Sequence, residues 1–349
     1  MDTSDYVISQ QATVLDALRQ LNDLSGKAMA LFAVDGDGRL VGTLTDGDVR
    51  RSLIGGAQLS SPVSEIMHRQ FTAFRGDRPA VQEIREIRQR RISLVPHLNA
   101  DGTLRRIYDF SVYDSILPVD AVLMAGGKGE RLRPMTLDTP KPLLKIGGKC
   151  IIDYNIDSLI RNGVTNISVT VNYLAEKIED HFAEPIGGVK VKCVREPKPL
   201  GTLGSITLVE GLCCDTVLLM NSDLLTNINL EEMYLQHIES DADLTVASIP
   251  YSVSVPYAIF KTEGARVTGM QEKPTYNYSA NAGIYMYRRS MLDKLVKGEF
   301  QGAAEFLEIL VNEGCNVRHF PINGTWIDIG SPADFRAAQD LMSRHPLAK

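Results

Sequence analysis

The stretch AVLMAGGKGERLRPMTLDTPKP, Ala121 to Pro142, decides how this chain folds. It opens as an apolar run with the length of a buried strand, then breaks into Gly126, Gly127 and Gly129 with Arg131, Arg133 and Lys141 close behind. Glycine has no Cβ, so backbone N–H groups in such a loop can converge on an anion at the strand end. Arg131 and Arg133 offer planar donors, Lys141 offers a compact charge, and Pro134, Pro140 and Pro142 stiffen the loop between them. The spacing is neither the dinucleotide pattern GxGxxG nor the Walker pattern GxxxxGK[ST]. Two readings are open: a phosphate site at a strand end, or a tight turn with solvated cations.

Downstream, strands and helices alternate as βαβ units do. DAVLMAGG is a strand, IIDYNIDSLIRNG a helix closed by Gly163, NISVTVN a strand, YLAEKIEDHF a helix and VKVKCVRE an alternating strand. After a helix near GSITLVEGL, TVLLMNSD is a buried strand that ends on Asp223. This order predicts an α/β domain over residues 118–349 with a mostly parallel, doubly wound sheet, whose ligands sit at the carboxyl ends of the strands.

Bulk properties narrow the class. A chain of 349 residues with 44% hydrophobic and 23% charged residues suits two globular domains. A net charge of -6 gives no support to nucleic-acid or membrane-surface binding. No apolar run approaches a membrane span, and the first residues do not resemble a signal peptide. The cysteines, Cys150, Cys193, Cys213, Cys214 and Cys315, have no CxxC or Cys/His metal spacing, and the histidines are scattered. Reduced, mostly buried thiols, no Cys/His metal cluster and a cytoplasmic location are expected.

Residues 1–117 contain a weak internal repeat. TVLDALRQLNDLSG is a helical pattern, followed by MALFAVDGDGRLVGTLTDGDVRRSL, two strands around an Asp-Gly turn with a helix after. AVQEIREIRQRRISLVPHLNADGTLRRIYDFSVYDSIL repeats the order, including a short final helix. Each unit is too small to bury its own face, so the two should pack together. On VGTLTDGDVRR this half resembles a tandem pair of cystathionine β-synthase (CBS) domains, an α+β module. The resemblance implies that Thr45 and Asp48 bind the ribose of an adenine nucleotide. The second copy departs from the pattern, with Tyr108 and Ser111 in RIYDFSVYD, which leaves at most one well-formed nucleotide site. A purely structural or dimerising module is the alternative, and a homo-oligomer is expected.

The glycine loop fits a longer pattern, GGxGxRLxPxT followed by PKP, filled by Gly126, Gly127, Gly129, Arg131, Leu132, Pro134 and Thr136, then Pro140, Lys141 and Pro142. With REPKPLGTLGS, LLMNSDLL, QEKP, NAGIY and WIDIGSP in order, residues 119–345 resemble the sugar-1-phosphate nucleotidyltransferase family. The resemblance implies a Rossmann-like, GT-A-like doubly wound mixed sheet. It also implies the reaction of an NTP with a sugar 1-phosphate to give an NDP-sugar and pyrophosphate. An ionised phosphate is its own nucleophile, so the protein need only position and neutralise. Asp223 and Asp328 would hold Mg²⁺. Arg131, Lys141 and Lys273 would act on the phosphates. Ala125, Gly126, Gly127, Gly129, Glu196, Gly201 and Thr202 would hold the nucleotide, with Gly201 and Thr202 against the base edge. Glu272, Lys273, Asn281 and Gly283 would hold the sugar phosphate.

Glu196 also bears on the base. Guanine presents two adjacent donors, N1–H and N2–H₂, which a carboxylate can accept as a pair, so GTP is favoured if Glu196 points inward. The layout is similar to enzymes that make GDP-sugars for bacterial surface glycans, including routes to nonulosonic acids. Glucosamine, mannose or heptose 1-phosphate is the expected co-substrate. The competing expectation is a catalytically silent subunit that senses nucleotide or NDP-sugar. Its mark would be loss of the cations or carboxylates, and all are present.

Overall fold

The computed structural model describes residues 3–26 and 28–344. The chain divides into two units, one reaching Ile116 and including Arg161–Gly163, the other comprising Leu117–Ile160 and the chain from Val164 onward.

In the first unit β1 (Val7–Ser9), α1 (Val14–Asp23), β2 (Ala30–Val34), β3 (Leu40–Thr45) and α2 (Asp46–Ile54) form one copy of the repeat, with strand order β1-β2-β3. Thr13 and Asp16 form a capping box at the start of α1, whose Val14, Ala17 and Leu21 are buried at helical spacing. Thr45 and Asp48 form the same device on α2, and Asp48 also pairs with Arg51. The second copy holds α3 (Val81–Gln89), β4 (Leu94–Leu98) and β5 (Leu104–Asp109). Leu94, Leu98 and Ile107 enter the first copy's core, so neither copy buries its face alone. The short helix expected after β5 is absent: residues 110–112 form a turn. Asp109 sits where a helix cap would and accepts from the Ser111 N–H and hydroxyl instead, which closes the turn.

The second unit runs β6 (Val119–Met124), β7 (Lys145–Ile146), β8 (Lys149–Cys150), α4 (Ile151–Arg161), β9 (Ile167–Val171), α5 (Ala175–His181) and β10 (Val191–Arg195). It continues with α6 (Gly201–Gly204), β11 (Thr216–Asn221), β12 (Leu224–Thr226), α7 (Leu230–Glu239), β13 (Leu244–Ser254), β14 (Ile259–Glu263), β15 (Arg266–Gln271) and β16 (Thr275–Arg288). It ends with α8 (Ala303–Asn312), β17 (Val317–Pro321), β18 (Trp326–Asp328) and α9 (Pro332–Arg344). Seven strands form the central sheet in the order β10-β9-β6-β11-β16-β13-β17. All neighbours are parallel except β16, which runs antiparallel to both β11 and β13. The sheet is therefore mixed and switches direction beside β11. The parallel strands β6, β9 and β11 are buried along almost their whole length, including the polar Asp120, Ser168 and Thr170, as expected of parallel strands covered on both faces.

Of the five thiols only Cys150 and Cys214 are buried, fewer than the composition suggested, and Cys213 is exposed. No described helix is long and apolar enough to cross a membrane.

One buried polar group sets a pH limit on this unit. His237 on α7 is buried with Nδ1 2.9 Å from Thr245 Oγ1. Burial, with the Arg288 charge adding to it, pushes its pKa down to about 4, against the opposing pull of Asp243. The unfolded chain binds this proton near pH 6.5, so stability is lost as pH falls through the interval down to 4. We expect about 2 kcal/mol of unfolding free energy to disappear between about pH 7 and about pH 5 through this group. Urea titrations of the wild type and His237→Gln should show the smaller pH slope in the variant.

Candidate active site

Three charged groups meet beyond the carboxyl ends of the parallel neighbours β6 and β11. The Lys141 ammonium is hydrogen-bonded to Asp223 Oδ2 and lies 3.7 Å from Asp328 Oδ1. Asp223 follows β11 after Ser222, and Asp328 closes β18. The two come together because β12 pairs antiparallel with β18, with Leu224 opposite Asp328, and Ile329 N–H donates to the Asp223 carbonyl at 3.2 Å. Asp328 is thus a strand residue in a two-stranded ladder.

Local packing holds this ladder. Ser222, next to Asp223, donates from Oγ to the Met124 carbonyl at 2.6 Å and so ties the end of β11 to the end of β6. The Trp326 indole N–H donates to the Ala282 carbonyl at 2.9 Å, which ties β18 to β16. Asn155 on α4 is buried and donates to the Leu224 carbonyl at 3.0 Å. The motifs do not mark Asn155, although an amide inside the apolar stripe Ile151, Ile152, Ile156 and Leu159 was a visible signal. Leu132, Leu144, Ile146, Leu225 and Ile329 pack beneath the site as one apolar cluster.

The electrostatics are unbalanced. Burial, then the neighbouring Asp223 charge, raises the Asp328 pKa against the opposing Lys141 and Arg131 charges. Asp223 Oδ1 is buried and has no hydrogen-bond partner among the described residues. An orphaned carboxylate oxygen beside a second carboxylate fits a hard divalent cation, which takes oxygen ligands. Arg131 lies alongside: a Cβ on Gly330 would come within 3.0 Å of its Nη2.

The glycine loop wraps the other side. Ala125 is buried and donates its N–H to the Thr170 carbonyl at 2.9 Å, extending the parallel ladder to the loop. Gly129 has φ +61, and a Cβ there would lie 3.0 Å from Thr136 Cγ2 and 3.2 Å from Lys141 Cβ. Thr136, fully buried, donates to the Gly129 carbonyl at 2.8 Å. The GGxGxRLxPxT pattern therefore reads as a brace: its Thr holds the turn that sets the path of the backbone up to Lys141. Gly127 stands in open space and Gly126 does not, because a Cβ there would lie 2.7 Å from Glu196 Oε1.

Glu196 points inward. It is 7% exposed, its Oε2 accepts the Leu200 N–H at 3.0 Å, and burial raises its pKa. Gly201 and Thr202 each have a protein contact of their own. A Cβ on Gly201, at φ +77, would lie 2.6 Å from the Gln301 carbonyl oxygen, and Thr202 Oγ1 accepts the Ala303 N–H at 2.8 Å at the start of α8. Both residues have protein neighbours that account for their identity.

The sugar-phosphate set is more dispersed. Asn281 is an internal bracket, donating to Tyr285 Oη and accepting the Gly283 N–H, each at 2.9 Å. Gly283, at φ +72, lies against the Asn221 amide. Glu272 and Lys273 occupy the exposed turn between β15 and β16, Lys273 at φ +42, and neither makes an ion pair with the lysine–carboxylate cluster. Elsewhere, folding gathers Cys150, Asp153 and His181, with His181 Nε2 2.7 Å from Asp153 Oδ1, a cluster of ligand types that no sequence spacing announced.

Mixed sheet, glycine loop and paired aspartates belong to one α/β domain, and comparison with known proteins gives its family. Residues 120–344 match the nucleotidyl transferase family and residues 1–55 match the CBS domain; the chain belongs to the nucleotidyl transferase family, with a CBS domain at its N-terminus. It is 28% identical over 240 residues to mannose-1-phosphate guanyltransferase beta-B of Xenopus laevis, covering 65% of this chain and 66% of that protein. It is 32% identical over 234 residues to mannose-1-phosphate guanylyltransferase of Mycobacterium tuberculosis, covering 64% and 65%. The chain thus spans just under two thirds of these relatives. A solved Bacillus anthracis protein in complex with a sucrose shares the fold, with a TM-score of 0.52 at 19% identity over 66% of this chain and 98% of that one.

Gly283→Ala should lower the melting temperature by several degrees, since it combines a left-handed backbone with a clash at Asn221. Gly127→Ala, with open space around it, should leave the melting temperature nearly unchanged, and differential scanning calorimetry separates the two.

Proposed function

We propose that this chain transfers a nucleotidyl group from an NTP, GTP by preference, to a sugar 1-phosphate, giving an NDP-sugar and pyrophosphate. The observation that carries this is Lys141 set between Asp223 and Asp328 beside the glycine loop, with Asp223 Oδ1 left unpaired. A phosphate oxygen of the sugar 1-phosphate attacks the α-phosphorus, the bond from that phosphorus to the β-phosphate's bridging oxygen breaks, and pyrophosphate leaves with the negative charge. A divalent cation, Mg²⁺ in this proposal, would be held by Asp223 and Asp328 and would neutralise charge on the triphosphate. With the carboxylates so engaged, Lys141 is released to the reacting phosphates, and Arg131 stabilises the departing pyrophosphate. Lys273 and Glu272, on their exposed turn, would reach the sugar phosphate and its hydroxyls, with Asn281 and Gly283 at the rim.

Glu196 supports the choice of GTP. Its Oε1 faces Gly126, so a base lying over Gly126 and Gly127 would meet a carboxylate. Guanine offers that carboxylate two adjacent donors, whereas the Watson–Crick edges of the other bases set an acceptor there. The relatives named above as mannose-1-phosphate guanylyltransferases point the same way and favour mannose 1-phosphate, with glucosamine and heptose 1-phosphates as alternatives. NDP-sugars are activated donors, which places the product upstream of glycan assembly.

The test is pyrophosphate release from each NTP against a panel of sugar 1-phosphates, with and without EDTA. Turnover that requires a divalent cation and falls by about 100-fold or more in Asp223→Asn is expected. Loss of turnover for every pair would favour the sensing-subunit alternative. Glu196→Gln should lower kcat/KM for GTP by roughly 10-fold, the worth of one charge-assisted hydrogen bond, and narrow the gap to other NTPs.

The CBS unit is proposed to take an adenine nucleotide at Thr45 and Asp48, though both already serve the α2 cap. Asp48→Ala keeps the Thr45 side-chain cap and should cost about 1 kcal/mol through the lost carboxylate bond to the Thr45 N–H. Only a melting shift with AMP or ATP in the wild type that vanishes in Asp48→Ala would speak for the ligand.

A further inference from the structure

Beyond Ser248 the strands β13 and β16 leave the central sheet as a two-stranded ribbon, on the side where β11 carries Asp223, and β14 and β15 form a second hairpin at its end. From Tyr251 to Ser279 no residue is buried. Isolated two-stranded hairpins are marginal in water, so this arm lacks the support that the sheet strands have.

Its side chains are sorted by face. Tyr251 stands opposite Tyr278 and Val253 opposite Tyr276, which puts all four on one side of the ribbon. The other side carries Ser252 opposite Asn277 and Ser254 opposite Thr275, and both pairs are hydrogen-bonded, at 2.7 Å and 3.0 Å. In the second hairpin Phe260 stands opposite Met270, and Val267 opposite Thr262 continues that side. Tyr251 and Tyr278 are each 57% exposed, Phe260 59% and Met270 60%. The ribbon's polar side is thus hydrogen-bonded across its strands, and the apolar sides of both hairpins are exposed.

We propose that these apolar faces pack against the same faces of a second copy of this chain. Two observations select that occupant. The first is charge. From Tyr251 to Ser279 the arm sets Lys261, Arg266 and Lys273 against Glu263 and Glu272, so in a chain of net charge -6 this segment is close to balanced and two copies meet there without strong repulsion between like charges. Cations matched in this way by carboxylates form no basic face of the kind nucleic acid or an anionic bilayer requires. The second is area. At about 200 Å² for a whole aromatic residue, Tyr251, Phe260, Tyr276 and Tyr278, with Tyr257 in the connection between β13 and β14, expose roughly 600 Å². Val253, Val267 and Met270 bring the patch close to the roughly 800 Å² per partner of a stable interface. A two-fold pairing is isologous, so Tyr hydroxyls that both donate and accept can meet their own copies across the axis. Because the turn with Glu272 and Lys273 joins the two hairpins, association also steadies those side chains; this consequence alone rests on the function proposed above.

Sedimentation of the full-length chain at micromolar concentration tests the pairing without reference to activity. The wild type should sediment as an even multiple of the chain mass. Tyr251→Glu/Tyr278→Glu should halve that mass with an unchanged circular dichroism spectrum, and Ser252→Glu on the polar side should retain it. A photo-crosslinking benzoylphenylalanine at Tyr278 should join two chains through peptides of residues 250–280. A monomeric wild type, or an assembly mass unaffected in Tyr251→Glu/Tyr278→Glu, overturns the proposal. Should that variant fail to fold, the crosslink decides: adducts confined to one chain would make the arm a cover for its own site, and adducts to a different protein or to another region would name a different occupant.

Discussion

The pairing of β12 with β18 is the contact on which the site depends. It sets Leu224 opposite Asp328 and so delivers two carboxylates, 105 positions apart in the chain, to a single ammonium, that of Lys141. Three strands is the least the arrangement can do with: β11 to present Asp223, β12 to turn back, β18 to bring Asp328. Backbone hydrogen bonds fix the spacing more firmly than side-chain contacts could. The orphaned Asp223 oxygen and the raised Asp328 pKa are the cost of that geometry, and a bound cation would remove both.

The loop opposite is shaped by close approach. Gly126 is bare because Glu196 lies against it, Gly129 because Thr136 and Lys141 do, and Gly201 because the Gln301 carbonyl does. In each case the protein itself occupies the space a side chain would take. A glycine in a binding motif thus serves the protein's own packing as much as the ligand's approach. Thr45 and Asp48 show the same double use, since the residues implied to hold a ribose already satisfy the first turn of α2.

Much of the architecture was legible beforehand. Apolar runs ending in Gly or Asp marked β6 and β11, the β-branched run NISVTVN marked β9, and alternation with amphipathic helices implied a doubly wound sheet, because a parallel strand needs a crossover. The repeat in the N-terminal half was legible for the same reason, through helix periodicity and Asp-Gly turns. Its second copy was overread at the end: Asp109 and Ser111 can cap a helix or close a turn, and only the surrounding chain chooses. Ser222 gives no local sign of its role, yet its hydroxyl ties two strands together.

Local sequence thus determined where strands and helices fall, that the loop after β6 could bend around an anion, and which charged residues were available, because those properties depend on neighbours a few positions away. Tertiary structure alone decided which of those charges meet. Nothing near Asp328 announces a strand partner at Leu224, nothing near Asn155 announces a bond to that residue's carbonyl, and nothing near Glu196 says which way it turns. Nor did the alternation in β13 and β16 reveal that half of each strand runs past the sheet with its apolar side uncovered. Ladder pairing and burial act between segments far apart in the chain, so they exist only once the chain has folded.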